Sequence, residues 1–472
     1  MFTTLGTRGI ATRSHHDRKR AGRRRPSGAP KTLLIAAASA SLLAAACSSS
    51  GSKSAAATPT LTGDCAQFQA YAGHSGTTVT MFASIISPES DSLQKSWADF
   101  SRCTGIKISY EGSNDFESQL GVRVSGGNAP DLAIIPQPGL LAQMVKTHKV
   151  VKPPAETVAN EAKWNSAWKA YGTVNGTFYA APMSANMKSL VWYSPKAFTA
   201  AGYTVPTTWD QLMALSAQIA ASGKKPWCGG ISSGTATGWP ATDWLEEVVL
   251  GKDGGQVYDD WVSHKITFSS PQIQSALTTV QNWMLNPAWV NGGFGNVKTI
   301  ASTTFQDAGK PILTGKCYLL QQASFYEAQW PTGTTVSPTG DAFAFYLPAA
   351  GSTPTPVEGG GEFVTAFSSR PEVQAVQNYL STAAWADSRI KVAPGWVSAN
   401  EGVDQNLYTD AIDKLSAKYL TDPNATFRFD ASDLMPAAVG SGEEWKAMTA
   451  WFAQGWTVAQ VGSDIDGAWP SS

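Results

Sequence analysis

TTVTMFASIISPESDSLQKSWADF, residues 77–100, is the stretch on which the fold reading turns. Val79, Met81 and Ala83 recur every second residue, the period of a strand with a buried face. Ser87-Pro88 then opens a helix in which Leu93, Trp97 and Phe100 fall at i, i+4 and i+7, one apolar stripe. Working outward, Ile106, Ile108 and Tyr110 repeat the strand period. Asn114 can cap a second helix through Phe116, Leu120 and Val124, and Pro130 precedes the apolar run Asp131 to Ile135. Strand, helix, strand, helix, strand implies a parallel sheet with right-handed crossovers.

A second α/β region begins at Ser189-Leu190-Val191-Trp192-Tyr193. Helices are expected from Thr208, with the stripe Leu212, Leu215 and Ile219, from around Thr242, and from Ser270-Pro271. Strand-like runs return at Cys317 to Gln321 and Ala342 to Leu347, and the last hundred residues read as helical, with Pro371 and Trp445 near helix starts. Two such regions, with the chain passing between them more than once, place a cleft where strand ends converge.

The 472 residues are 43% apolar and 15% charged, enough for two or three well-cored domains. The net charge of -1 hides an asymmetry. Residues 1–46 hold nine Lys/Arg against Asp17, leaving 26 basic and 35 acidic residues in the remainder. A surface of that sign repels phosphate backbones, so nucleic acid is not an expected partner. All 18 tryptophans lie after residue 90, outnumbering the 13 tyrosines and offering faces for stacking as well as core volume.

The start of the chain reads as an export signal. A basic stretch, residues 18–25, and Lys31 lead into an apolar run from Leu33 to Ala46, shorter and richer in Ala than a membrane span. The run ends at Leu43-Ala44-Ala45-Ala46-Cys47, similar to a bacterial lipobox, with Leu one place further from the cysteine than usual. Cys47 is thus the expected lipidated first residue of the mature chain, and the Ser/Ala/Thr/Pro stretch after it, to Gly63, a flexible tether. Four cysteines remain: Cys65, Cys103, Cys228 and Cys317. An even number in an exported chain suggests two disulfides with three possible connectivities, and neighbour pairing keeps each bridge within one region. No C-x-x-C occurs, and no metal or other cofactor is expected.

The segment GWPATDWLEEVV, residues 238–249, carries two readings. In one, Trp244, Leu245 and Val248 are the buried stripe of a helix capped by Thr242 or Asp243. In the other, Trp239 offers a flat apolar face and Asp243 an acceptor to a ligand lying across the helix start. Enzymatic readings have weaker support. Asp243 with Glu246 and Asp430 with Asp433 are acid pairs of the kind a glycosidase needs, but i, i+3 carboxylates are more often caps or solvated faces. Gly230-Ile231-Ser232-Ser233-Gly234 matches G-x-S-x-G without a clear entering strand, and His74, His148 and His264 have no motif around them. H-E-x-x-H, P-loop and G-x-G-x-x-G motifs are absent.

The lipobox-like start, Ala129-Pro130-Asp131-Leu132-Ala133-Ile134-Ile135-Pro136, Val205-Pro206-Thr207-Thr208-Trp209-Asp210, Gly238-Trp239-Pro240-Ala241-Thr242-Asp243-Trp244 and Asp430-Ala431-Ser432-Asp433-Leu434-Met435-Pro436 together resemble extracellular solute-binding lipoproteins of carbohydrate ABC importers. The resemblance runs over about residues 75–465 and is closest to the α-glucoside-binding branch of the maltose-binding-like family. It implies a type II, two-lobed periplasmic-binding-protein-like α/β fold, with hinge crossings here near Pro182 to Asn186, near 310–316, and at Glu358-Gly359-Gly360-Gly361-Glu362. The expected division is signal peptide 1–46, lipidated cysteine and tether 47–63, first lobe 64–185, second lobe 186–312, a return to the first lobe over 313–360, and to the second over 361–472.

The same resemblance implies a monomeric sugar-binding component, not an enzyme. It would sit lipid-anchored on the extracellular face of the cytoplasmic membrane and deliver an oligosaccharide, an α-glucoside, to the permease's transmembrane subunits. A secreted glycoside hydrolase or a carbohydrate-adhesion lipoprotein are the alternatives. Trp239, Trp244, Phe325 or Tyr326, Trp396 and Trp445 are expected to stack on sugar faces. Asn186, Asp243, Glu362 and Asp433 are expected to hold hydroxyls. The family places an Asp after the glycine pair where this chain has Gly361-Glu362. The resemblance also supports a Cys228–Cys317 bridge, leaving Cys65 for Cys103.

Overall fold

The computed structural model describes residues 58–294 and 296–470, so the expected signal peptide, Cys47 and most of the tether lie outside the described residues. The first sheet is built as the opening stretch dictates. Strands β1 (Thr78–Ala83), β2 (Lys107–Gly112) and β3 (Leu132–Ile135) run parallel, with Met81 flanked by Tyr110 and Leu132. Helices α1 (Glu89–Ser96) and α2 (Ala98–Thr104) join the first pair, α3 (Phe116–Ser125) the second, and α4 (Pro138–Lys146) follows β3. Val79, Met81, Leu93, Trp97 and Phe100 share one core layer; Phe82, Phe116, Leu120 and Ile135 form the layer on the opposite face. With both faces covered, all four residues of β3 are buried, as a central parallel strand requires. Each fully buried Val, Leu or Ile side chain there contributes roughly 1.5–3 kcal/mol of transfer free energy.

The chain leaves this sheet through β4 (Ala180–Pro182), passes Met183, and enters a small third sheet as β5 (Ser184–Met187) before β6 (Leu190–Tyr193) founds the second sheet. That sheet has the order β8-β7-β9-β6-β10, with β7 (Trp227–Cys228), β8 (Val290–Asn291), β9 (Leu319–Gln321) and β10 (Phe343–Tyr346). Its core contains α5 (Trp209–Ala221), whose Thr208 hydroxyl caps Gln211 N–H and whose Leu212, Leu215 and Ile219 are buried as the stripe predicts. The chain crosses back through β11 (Pro356–Gly360) in the third sheet and β12 (Phe363–Ala366), antiparallel to β3 and β4. At this crossing a Cβ on Gly361 would stand 2.3 Å from the Ser184 carbonyl oxygen, so only glycine lets the two crossing segments lie together.

Helices α7 (Pro371–Leu380) and α8 (Ala383–Val392) then pack on the first core. The final passage runs through β13 (Val397–Ser398), α9 (Ala411–Leu420) and β14 (Thr426–Phe429), completing the third sheet in the order β13-β5-β11-β14. Ala431, Met435, Trp451 and Ile465 belong to the second core. The fold is therefore the expected two-lobed α/β arrangement, but its division differs from the sequence expectation. Residues 319–321 and 343–346 do not return to the first lobe: both strands pair antiparallel with β6. Near 310–316 a 3-10 turn, Lys310–Thr314, leads into β9 instead of crossing. Likewise 361–472 splits between the lobes. A strand-like run declares its period but not which sheet edge will accept it, and β6 offered both of its edges.

Both disulfides join neighbours: Cys65–Cys103 ties the turn Gly63–Tyr71 to α2, with Cα atoms 5.1 Å apart, and Cys228–Cys317 ties β7 to the residues before β9, at 5.4 Å. Among the described residues no helix is long and apolar enough to cross a membrane.

Candidate functional site

Helix α6 (Trp239–Val262) starts three residues before the expected Thr242, and no side chain caps it. Its N-cap is Gly238, at φ 117°, and a Cβ there would stand 2.1 Å from the Trp445 carbonyl oxygen. The close approach of α6 to α10 (Trp445–Gln454) thus sets the helix start and carries Trp239 to the lining of a partly open cavity. Five residues on, Trp244 points the other way: it is 1% exposed and packs on Phe452.

The second lobe supplies an aromatic wall. The Trp239 ring lies 5.0 Å from Phe305 at 68° and 6.0 Å from Phe325 at 54°, and all three rings are half-buried cavity residues. Trp445 lines the same cavity, its indole N–H donating to Ser432 Oγ at 3.3 Å. The first lobe supplies a polar wall from helix starts. Glu89 and Glu117 sit in the first turns of α1 and α3, and Gln137 is the N-cap residue of α4. Gln137 donates its side-chain amide to Glu117 Oε1 at 3.1 Å. Burial pushes Glu117 and Glu89 up to about 7, although Arg389 opposes this at Glu89. Burial, and then the charge of Glu89, lift Glu362 on the floor to about 8.

A charge network centred on Lys188, the residue after β5, reaches from the cavity lining into the protein. Its ammonium donates to Asp243 Oδ1 at 2.7 Å and to Asp430, with Glu358 Oε1 at 3.9 Å, and stands 5.4 Å from the centre of the Trp239 ring. Burial alone would depress Lys188, but Asp243, Asp430 and Glu358 hold it well above the ordinary lysine value. One ammonium does not neutralise so many buried acids. Burial raises Asp243 to about 7 and Glu247 to about 8, and lifts Glu246, Glu358 and Asp433 well above the carboxylate range, with neighbouring anions adding to it. Desolvation and mutual repulsion thus both favour the protonated form of the acids in this network.

Of the residues singled out from sequence, the cavity gathers Asn186, Trp239, Phe325, Glu362, Asp433 and Trp445. Asp243 is one layer behind, wholly buried against Lys188. Three others belong to the cores. Trp244 is described above; Tyr326 is 0% exposed, accepts from Gly309 N–H at 2.7 Å and donates to Gln306 O at 3.1 Å; Trp396 packs on Trp385 with centroids 5.3 Å apart. The first-lobe acids, Gln137, Lys188 and Phe305 were missed. The signal for Glu89, Glu117 and Gln137 was available: each follows the carboxyl end of a parallel strand, where ligands of open α/β sheets sit.

Of the acid pairs weighed as catalytic, Asp243 and Glu246 are wholly buried and do not line the cavity, whereas Asp430 and Asp433 both line it on one side. Glu246 accepts from the amide of Ser432 and from Tyr258 Oη, at 3.2 and 2.9 Å, and Asp430 caps the Asp433 amide. His74, His148 and His264 do not line the cavity. Among the described residues, two clusters of carboxylates have the spacing of cation sites, Asp243-Glu246-Glu358-Asp430 and Glu327-Asp410-Asp413, each with one oxygen per residue within 4.8 Å of the others. The first already surrounds an ammonium.

Comparison with known proteins adds to this geometry. Residues 86–387 match the family model described as bacterial extracellular solute-binding protein. The osmoprotective compounds-binding protein GgtB of Synechocystis sp. is 35% identical over 397 residues, covering 83% of this chain and 92% of that protein. The alpha-glucosides-binding periplasmic protein AglE of Rhizobium meliloti is 34% identical over 409 residues, covering 84% and 88%. Among solved structures, the bacterial solute receptor AcbH superposes with a TM-score of 0.70 at 17% identity, covering 84% of this chain and 98% of the receptor. Maltose-bound T. maritima MalE3 gives 0.64 at 18%, covering 83% and 98%.

Proposed function

As a member of the bacterial extracellular solute-binding protein family, the chain is one for which we propose the role of substrate-binding component of an ABC sugar importer, holding an oligosaccharide of the α-glucoside class and passing it unchanged to the permease. The observation that carries the reading is the pairing of walls around one cavity: three half-buried rings on the second lobe face carboxyls and amides on the first. A sugar ring has an apolar C–H face and an edge of hydroxyls, and this cleft offers a surface for each. Trp239, Phe325 and Trp445 take the stacking role; Asn186, Glu362 and Asp433 take hydroxyls. Asp243 acts through Lys188 as a positioning residue.

The crossings at Met183, at Gly361-Glu362 and through β13, α9 and β14 serve as the hinge. Closure on the ligand then lets the permease distinguish loaded from empty protein, provided the sugar binds the closed form better. Export with lipidation at Cys47 completes the reading, and mass spectrometry of the membrane-extracted chain tests it through a diacylated N-terminal cysteine. Calorimetric titration with a panel of gluco- and galacto-oligosaccharides tests the main claim. Saturable one-to-one binding of an α-glucoside recovered intact is expected; cleavage products would support the hydrolase alternative, and no binding across the panel would remove the reading.

A further inference from the structure

Three buried oxygens of cavity residues have no hydrogen-bond partner: Glu117 Oε2, Gln137 Oε1 and Asn186 Oδ1. Each is an acceptor, so each calls for a donor from whatever occupies the cleft. The Gln137 amide fixes one oxygen of Glu117 and leaves the other free, so this pair is oriented before any ligand arrives. Asn186, on β5, places the third acceptor at the hinge.

The charges lining the cavity have the same sense. Five of the lining side chains are carboxyls, those of Glu89, Glu117, Glu362, Asp430 and Asp433, and one is basic, that of Lys188. Lys188 is already engaged by Asp243 and Asp430 and lies over the Trp239 ring. Arg389 offsets part of the charge of Glu89 and Glu362 from behind, but its guanidinium donates to Ala393 O and does not line the cavity. Above the value of about 7 to which burial lifts Glu89 and Glu117, an anionic group entering the cleft therefore meets ionised acids without a free cationic partner, in a partly desolvated space where salt screens weakly.

Resting on the sugar reading above, we propose that the cleft selects by charge: it takes an uncharged, hydroxyl-rich sugar or its amine-bearing analogue and rejects the same sugar bearing a carboxylate, with Glu117, Gln137 and Asn186 as the acceptors that set the rule. Hydroxyl and ammonium groups donate to the three unpaired oxygens; a carboxylate offers only acceptors and adds repulsion.

The test is calorimetry at pH 8, above the value of about 7 to which burial lifts Glu117, with maltose, trehalose and sucrose as probes. Each is titrated as the parent, as its 6-amino-6-deoxy form and as its 6-carboxylate. The carboxylate is expected to bind at least about fiftyfold more weakly than its parent, which corresponds to about 2.3 kcal/mol, and the amine as well as the parent or better. Glu117→Gln should narrow the parent-to-carboxylate ratio about fivefold or more, and Gln137→Glu should widen it, a gain that a merely unfolded variant does not produce. A carboxylate within threefold of its parent overturns the charge rule and leaves the sugar reading standing. A carboxylate that binds where no parent does overturns both.

Discussion

The two walls of the cleft reach the same cavity by opposite means. On the second lobe, Trp239 is held by packing: Phe305 and Phe325 contact its ring, Gly238 admits α10 behind it, and the Lys188 ammonium sits over its face. On the first lobe, Glu89, Glu117 and Gln137 stand at helix starts, and Glu117 and Gln137 each carry an unpaired oxygen. The aromatic wall is braced by a buried charge network, whereas the polar wall is left unsatisfied. Disruption of the buried network behind the aromatic wall should therefore fall on stability, whereas disruption of the groups that face the cavity, ring or polar, should fall on affinity.

Lys188→Met gives the largest expected effect. It leaves Asp243, Asp430 and Glu358 buried without their cation, and losing one partner of a buried ionic network costs about 3–5 kcal/mol. Urea unfolding should show the midpoint drop, and an unchanged midpoint would mean that the acids are satisfied by protons without the ammonium. Next comes the tryptophan pair. Trp244→Ala should remove about 3–5 kcal/mol of stability while sparing affinity per folded molecule. Trp239→Ala should cost about 2 kcal/mol in sugar affinity, roughly thirtyfold, with little change in melting temperature. If Trp239→Ala instead unfolds the protein and affinity holds, the aromatic wall is core.

Gln137→Ala tests the polar wall. It removes one acceptor and the hydrogen bond that orients Glu117, for an expected loss of about 1 kcal/mol in binding, and melting should not shift beyond error. The smallest effect is that of pH. Glu247 and Glu362 are raised from about 4.5 to about 8 and Glu327 to about 9, so the folded chain holds protons that the unfolded chain releases. Their contribution is complete below about 4.5 and is lost as pH rises through 8–9. Lys188 also has a raised value, but its contribution is constant below 10.5, outside this window. The melting temperature should decline by a few degrees between pH 5 and pH 9, and a flat profile would show these acids to be ionised throughout.

These contrasts separate what was legible in the chain from what was not. Strand period, helix stripe and cap chemistry are local properties, and they located β1 to β3, α5 and the two lobes because neighbouring residues alone decide them. The helix start at Trp239 was missed because its determinant, the contact between Gly238 and Trp445, spans two hundred residues. Trp244, which also had a core reading, Tyr326, the alternative to Phe325, and Trp396 were expected to stack on the ligand, yet each faces inward. An indole serves a core and a sugar equally well, so residue type leaves that choice open.

The sequence by itself determined the two α/β lobes, their parallel beginnings, the acidic character of the chain after residue 46 and the four cysteines that follow Cys47, since these follow from periodicity, charge and count. Only the tertiary structure decided that β9 and β10 would flank β6, that one lysine would gather acids from three separate segments, and that helix starts of one lobe would face rings of the other. The physical reason is range: hydrogen-bond register, burial and Coulomb interactions couple residues far apart in the chain, and no local pattern records which partners the fold will bring together.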